Sequence, residues 1–158
     1  MSNTMKISVG RLPVNSESDA EGLVNKLVKY IANDNFGNWR NQLLFLADDG
    51  DGATHVQCAD TAAEIVRKNN LNFNFTKIYL DAYQQETSAS GESYPLAKNK
   101  LQNMLNNGVL FFNYCGHAGY TNITSEIVLH VNDIRSMENA KQGFWLFATC
   151  NFSQFDAQ

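Results

Sequence analysis

Three side chains that could take part in catalysis each follow a short apolar run that predicts a β-strand: Asp48, His117 and Cys150. They are far apart in sequence, but parallel strands bring their carboxyl ends to one edge of a sheet. A thiol beside an imidazole predicts nucleophilic chemistry, because the imidazole raises the thiolate fraction or takes the thiol proton. A carboxylate behind the imidazole would fix its tautomer and orientation. We therefore expect these three residues to form a Cys–His nucleophilic site.

The elements that must position these residues alternate between strand and helix. Apolar runs predict strands at residues 5–9, 43–47, 75–80, 109–112 and 144–148. Helical spacing of apolar residues predicts helices beginning near residues 16–19 and covering about 55–69 and 94–107, with a short one near 131–137. Residues 84–93 read as a polar loop. This alternation predicts the α/β class with a mostly parallel sheet.

Composition narrows the range of partners. The 158 residues predict a single domain, 1–158, and a net charge of −4 argues against nucleic acid or an anionic membrane surface. No run is long and apolar enough to span a bilayer, and the start does not resemble a signal peptide. If the parent protein is exported, we expect this chain to be an internal piece of it.

Three cysteines are an odd number, and no CxxC pair occurs, so neither a disulfide framework nor a structural zinc site is expected. Cys58 lies among alanines on a predicted helix and is expected to be a small core residue. Cys115 ends a buried strand and is expected to be structural. His55 is interpreted as a surface or capping residue, and no polar neighbours in the sequence suggest a role for His130.

The acidic loop at residues 48–52 has several interpretations. Asp48 could orient His117, could ligate a hard cation such as calcium, or could belong to a hydrated turn. The loop lacks the downstream glutamate of an EF-hand. Glu126 is a further acidic candidate, supported only by its closeness to His117 in sequence.

Beyond the spacing, the residues themselves resemble a known family. Gly116-His117 after one apolar strand, and ATCNFSQFD at 148–156 after another, resemble the gingipain family of cysteine peptidases, which are relatives of the caspases. The similarity continues through VGRLP at 9–13, WRN at 39–41, FLADDGDG at 45–52, YLDAY at 79–83 and QETSASG at 85–91. The set looks most like the family members that act as surface sortases of the type IX secretion system in Bacteroidetes.

The resemblance implies a caspase-like three-layer sandwich, of which this chain would be a fragment, cleaving peptide bonds through a Cys–His dyad. His117 would match the family histidine and Cys150 the nucleophile, while Asp48 falls where some members carry an acidic third residue. The backbone N–H groups of Ala118 and Cys150 would form the oxyanion hole, although Ala118 stands where the family usually has glycine. No cofactor is required, and calcium is implied as a structural ion.

For the sortase members, the implied substrate is a secreted cargo protein with a C-terminal sorting domain. The implied location is the cell surface or outer membrane of a Gram-negative bacterium. Two other interpretations remain open. One is a catalytically inactive caspase-like domain that binds proteins, and the other is a metal site made by Cys115, His117 and Cys150 with His55 as a distant fourth ligand.

Overall fold

The computed structural model describes residues 10–33, 35–89, 91–137 and 141–152, so the strand predicted at 5–9 lies outside the described residues. The helices and strands are, in chain order, α1 (Glu17–Ala32), β1 (Gln42–Ala47), α2 (Thr54–Asn69), β2 (Asn74–Tyr79), β3 (Glu86–Ser88), β4 (Gly91–Ser93), α3 (Pro95–Asn107), β5 (Phe111–Cys115), β6 (Asn122–Ile123), β7 (Leu129–His130), α4 (Val131–Arg135) and β8 (Phe144–Ala148). Short 3₁₀ turns occupy Asn38–Asn41, Asp51–Ala53 and Leu80–Ala82.

The central sheet has four strands in the order β2-β1-β5-β8, and every pair in it is parallel. The predicted α/β class with a mostly parallel sheet is thereby confirmed. The register pairs Ala47 with Cys115, and Cys115 with Ala148. The strands β1, β5 and β8 therefore end level with one another, at the edge where the predicted site residues follow.

Helices cover both faces of the inner strand β1. Along β1, Leu44 and Leu46 join one buried cluster with Leu101 and Leu105 of α3, whereas Leu43 and Phe45 join another cluster with Ala63 of α2. The alternation follows from the two-residue period of a strand, which sends successive side chains to opposite faces. Because both faces are covered, β1 is apolar throughout, as buried parallel strands are. The result is a three-layer arrangement of helix, sheet and helix.

Two expectations about the elements are corrected. The strand predicted at 109–112 begins two residues later and runs on through Asn113, Tyr114 and Cys115, all of which are buried. Because Asn113 and Tyr114 are polar, a search for consecutive apolar residues does not detect the second half of this strand. The polar loop expected at 84–93 contains the hairpin β3–β4, whose mainly exposed residues carry no apolar alternation to reveal it.

Three expectations about individual residues and faces also differ. Helix α1 begins where predicted, with the Ser16 hydroxyl accepting the Asp19 N–H at 3.1 Å, but none of its side chains is buried. Cys58 is exposed rather than a core residue, although its thiol interacts with that of buried Cys115 in β5. His130, to which no role was assigned, makes polar contacts: it caps α4, and its Nδ1 accepts the Asn132 N–H at 3.1 Å. None of the helices among the described residues is long and apolar enough to cross a membrane.

Candidate active site

The three predicted residues follow β1, β5 and β8 at the carboxyl edge of the sheet, and backbone hydrogen bonds continue beyond the strands there. The Asp48 N–H donates to the Cys115 carbonyl at 3.1 Å, and the Gly116 N–H donates to the Ala148 carbonyl at 3.4 Å. Backbone hydrogen bonds alone therefore hold the segments that carry the acid, the histidine and the thiol next to one another. This edge is where parallel sheets place their reaction sites.

Asp48 is a backbone support for the histidine segment. Its side chain is only 2% exposed, and its carboxylate accepts the His117 N–H at 3.0 Å and the Asp49 N–H at 3.2 Å. Burial raises the pKa of this carboxyl, and the two backbone N–H groups oppose that rise. The contacts of Asp48 thus fix the position of the His117 main chain, whereas the prediction from sequence was that Asp48 would orient the imidazole.

Tyr114 and Gly116 complete this support. The Tyr114 hydroxyl, fully buried, donates to the His117 carbonyl at 2.5 Å and lies 3.4 Å from the Asp48 carboxylate. Burial, followed by the nearby Asp48 charge, raises the pKa of Tyr114, so the hydroxyl remains a donor. A Cβ atom at Gly116 would overlap the side chains of both Asp48 and Tyr114. Glycine is required here because the backbone passes directly over these two groups.

The imidazole of His117 faces a different carboxylate. Asp51 Oδ2 lies 3.0 Å from His117 Nε2, and both side chains are more than half exposed. Asp51 belongs to a tight turn in which Asp51, Gly52 and Ala53 all adopt left-handed φ values near +60°. Such strain in non-glycine residues clusters at functional sites. The turn brings Asp51, three residues beyond the predicted acid in the same loop, to the ring of the histidine.

His55, interpreted from sequence as a surface or capping residue and only as a distant metal ligand, lies beside His117 in the structure. Its ring meets the His117 ring edge-on, with centroids 4.8 Å apart and an interplanar angle of 88°. Its Nε2 lies 3.7 Å from Asp51 Oδ2, and its side chain is 14% exposed. The sequence offers only an acid and an imidazole four residues apart before and at the start of α2, and the left-handed turn between them brings the two side chains together.

Cys150 is exposed and follows β8 with its thiol accessible to a substrate. Both Cys150 and His117 are described, and no hydrogen bond joins the thiol to the imidazole. Cys115 differs sharply, since it is buried and burial raises the pKa of its thiol to about 12, helped by a hydrogen bond with Cys58. A thiol of that kind is inert at neutral pH. Of these two cysteines at the sheet edge, Cys150 is therefore the candidate nucleophile.

Neighbouring hydrogen bonds fix the backbone around Ala118 and Cys150, the two residues whose N–H groups are predicted to form the oxyanion hole. Ala118 forms an antiparallel bridge with Ile123, in which the neighbouring residues make the hydrogen bonds: Thr124 N–H to His117 carbonyl and Gly119 N–H to Asn122 carbonyl, both at 2.9 Å. Ala118 does not adopt a positive φ, so alanine fits there without strain. At Cys150, the carbonyl accepts the Phe152 N–H at 2.7 Å.

Two groups of potential metal ligands occur within the described part of the chain, one formed by Asp48, Asp49 and Glu126 and the other by Asp51, His55 and His117. The first offers only carboxylate oxygens, and Glu126 Oε2 is buried with no hydrogen-bond partner among the described residues. Burial raises the pKa of Glu126. This oxygen donor set fits a hard cation such as calcium.

The Cys115–His117–Cys150 metal site considered from sequence does not assemble among these residues.

The chain matches a known peptidase family in sequence and a known protein structure in fold. The family model for peptidase family C25 matches residues 2–158. Among solved structures, the chain is similar to the Arg-specific cysteine proteinase gingipain R, with a TM-score of 0.67 at 16% identity. That similarity covers 90% of this chain and 31% of the gingipain chain, so this chain spans about a third of that protein. A comparison with curated proteins gives no match.

The likeness to the solved structure extends to the fold alone, and the expected caspase-like arrangement of helices around a parallel sheet is confirmed by it. The family model covers nearly the whole sequence, including the loops that follow β1, β5 and β8. The chain therefore belongs to peptidase family C25, the gingipain family of cysteine peptidases.

Proposed function

We propose that this chain carries the nucleophilic site of a cysteine endopeptidase, with Cys150 as nucleophile and His117 as general base. The observation that carries the proposal is the meeting of three strand ends at one sheet edge. There, an exposed thiol follows β8, and a histidine follows β5 with its backbone fixed and its ring beside a carboxylate. Membership of a peptidase family supports the same assignment.

The tautomer of His117 follows from its contact with Asp51. With an Nε2–H facing the Asp51 carboxylate at 3.0 Å, Nδ1 carries the lone pair that accepts the Cys150 proton. The thiolate then attacks the carbonyl carbon of the scissile peptide bond, and the N–H groups of Ala118 and Cys150 stabilise the resulting oxyanion. His117 returns the proton to the leaving amine as the C–N bond breaks, which leaves a thioester on Cys150.

The fate of the thioester defines the reaction. Attack by water releases an acid and is hydrolysis, whereas attack by an amine forms a new amide and is transpeptidation. The sequence features resemble PorU, the type IX sortase, and we therefore propose removal of C-terminal sorting domains from secreted cargo at the bacterial cell surface. Transfer of the acyl group to an amine of an anionic lipopolysaccharide would anchor that cargo.

This chemistry requires no cofactor, because His117 can accept and return the proton in both steps: from the thiol to the leaving amine in acylation, and from the attacking water or amine to the thiolate in deacylation. Calcium, as a structural ion, would be held by the carboxylates of Asp48, Asp49 and Glu126, which lie close enough to share one cation. Since Asp48 also accepts the His117 N–H, an ion there would stiffen the support of the histidine without touching the reacting atoms.

One observation favours a second candidate, a catalytically inactive domain that binds proteins. The Cys150 thiol and the His117 imidazole, both described, share no hydrogen bond. Catalytic hydrogen bonds can be long in free enzymes and tighten only when substrate binds, so the reactivity of Cys150 toward a substrate-like reagent distinguishes the two functions.

The deciding experiment is reaction of the chain with peptidyl acyloxymethyl ketones that present different residues to the thiol, mapped by mass spectrometry. A peptidase modifies Cys150, and His117→Ala abolishes the modification. Cys58→Ser, which removes another exposed thiol, is the matched control and leaves Cys150 labelling unchanged. Equal modification of Cys58 and Cys150, insensitive to His117, supports the inactive domain. Adding an amine acceptor to a peptide cleavage assay then separates transpeptidation from hydrolysis.

A further inference from the structure

A second group of chemically active side chains overlaps the proposed catalytic residues. Asp51, His55 and His117 each present one possible ligand atom, and these atoms all lie within 4.8 Å of one another. Asp51 Oδ2 lies 3.0 Å from His117 Nε2 and 3.7 Å from His55 Nε2. The carboxylate thus stands between two imidazole nitrogens that come from different parts of the chain.

These separations match the requirements of a tetrahedral metal ion. Zinc binds imidazole nitrogen and carboxylate oxygen at about 2.0–2.2 Å, which puts neighbouring tetrahedral ligands about 3.3–3.5 Å apart. The two measured separations, 3.0 and 3.7 Å, fall on either side of that value. The third pair, the two imidazole nitrogens, lies within 4.8 Å, and rotation of the exposed His117 and Asp51 side chains would bring all three atoms into one coordination shell and leave a fourth position open.

The orientation of His55 limits what its ring can bind. Its Nδ1 is buried and has no hydrogen-bond partner among the described residues, so it faces no ligand or solvent. Its Nε2 faces Asp51. The ring is 14% exposed at the start of α2, so little conformational freedom remains to be lost on binding a metal. His55 therefore offers one largely pre-oriented donor atom.

The donor chemistry selects the class of metal. Two imidazoles and one carboxylate suit a borderline divalent cation such as zinc, whereas calcium prefers oxygen donors throughout. With both imidazoles neutral, the three side chains carry one negative charge, which partly balances the charge of the ion.

We propose that Asp51, His55 and His117 form an inhibitory site for a divalent transition metal, with zinc as the ion tested. The inhibitory consequence rests on the proposed function. When a metal binds His117 through Nε2, the ring proton must move from Nε2 to Nδ1, so Nδ1 no longer has a free lone pair. The imidazole can no longer accept the Cys150 proton, and the Asp51 carboxylate is drawn from the ring to the metal. His55 takes no part in peptide cleavage here, and its role is to strengthen metal binding.

The binding test uses the whole chain carrying Cys150→Ala, so that the exposed thiol does not compete as a ligand. Zinc affinity is measured by competition with a chromophoric chelator, and Co²⁺ absorption reports the coordination geometry. We expect His55→Ala and His55→Phe each to weaken zinc binding about tenfold or more. The phenylalanine variant retains an aromatic ring against His117 and tests the donor atom separately from packing.

His130→Asn is the matched control, because it removes an imidazole elsewhere while asparagine keeps an acceptor for the cap of α4. We expect its zinc affinity to stay within twofold of the parent chain. Unchanged affinity in both His55 variants, or an equal loss in His130→Asn, would overturn the metal site.

A parallel measurement on the chain with Cys150 intact separates the two proposals. Zinc should suppress labelling by the peptidyl ketone over the same concentration range in which it binds, and a chelator should restore it. If zinc binds through His55 but Cys150 shows no His117-dependent reactivity, the peptidase proposal fails and the metal site stands. If labelling depends on His117 but His55 has no effect on zinc affinity, the metal site fails and the peptidase proposal stands.

Discussion

Replacing Asp51 by asparagine tests which carboxylate serves the imidazole of His117. The variant keeps the shape of the side chain and removes its charge 3.0 Å from Nε2. In bulk water, two unit charges at that distance attract by about 1.4 kcal/mol. The side chains are 58% and 60% exposed, so salt and solvent reduce the interaction to about 1 kcal/mol. Loss of that stabilisation of the imidazolium–thiolate pair should slow alkylation of Cys150 about fivefold.

The size of this effect distinguishes the site from a triad with a buried acid, in which the same substitution lowers the rate about 10⁴-fold. The assay is iodoacetamide labelling of Cys150 near neutral pH, followed by mass spectrometry. Asp49→Asn is the matched control: it removes the same charge from the same loop, but Asp49 accepts a hydrogen bond from Tyr94, at 2.6 Å, and not from His117. Equal rates in the two variants would show that Asp51 acts only through net charge and would refute the reasoning.

Three further predictions concern the support of the site and the stability of the fold. Tyr114→Phe removes the hydroxyl that donates to the backbone after β5 and should lower the free energy of unfolding by about 1 kcal/mol, measured by urea denaturation. Gly116→Ala should cost about 1–3 kcal/mol by the same measurement, because its Cβ overlaps two side chains, and a neutral result would contradict the close packing. Hydrogen bonds from Arg67, and then Lys77, lower the pKa of Glu64 to about 2 from its ordinary 4.5, so their contribution to stability is present above pH 4.5 and lost as the pH falls toward 2. Glu64→Gln should flatten the stability profile in that window, and an unchanged profile would count against these ion pairs.

The sheet was predictable from sequence because its strands contain runs of apolar residues, although only β1 and most of β5 are buried and β8 exposes alternate residues. Residues 43–47 and 144–148 are apolar throughout, and both were placed within one residue of their observed bounds. The end of β5 was harder to predict, since the strand continues through buried Asn113 and Tyr114, whose polar groups interrupt the apolar run. The hairpin β3–β4 was missed because its strands are three residues long and are paired by backbone groups that carry no side-chain pattern.

The sequence predicted the edge of the sheet at which the candidate residues lie, but not the contacts between their side chains. Strand ends located Asp48, His117 and Cys150 correctly along the chain, because topology alone brings such positions together. Which acid reaches the imidazole depends on the left-handed turn that begins at Asp51, and no apolar period encodes that geometry. His55 approaches His117 through the same turn. Backbone conformation in the loop, rather than residue type, decided these contacts.

The most direct test of the central claim compares iodoacetamide labelling of the three cysteines across pH in the parent chain and in His117→Ala. The account predicts fast labelling of Cys150 at pH 6 that collapses in the variant, while buried Cys115 stays slow in both. Labelling of exposed Cys58 is followed in the same samples as the internal reference. If Cys150 labels like Cys58 and is unaffected by the loss of His117, the two residues do not form a working dyad in this chain.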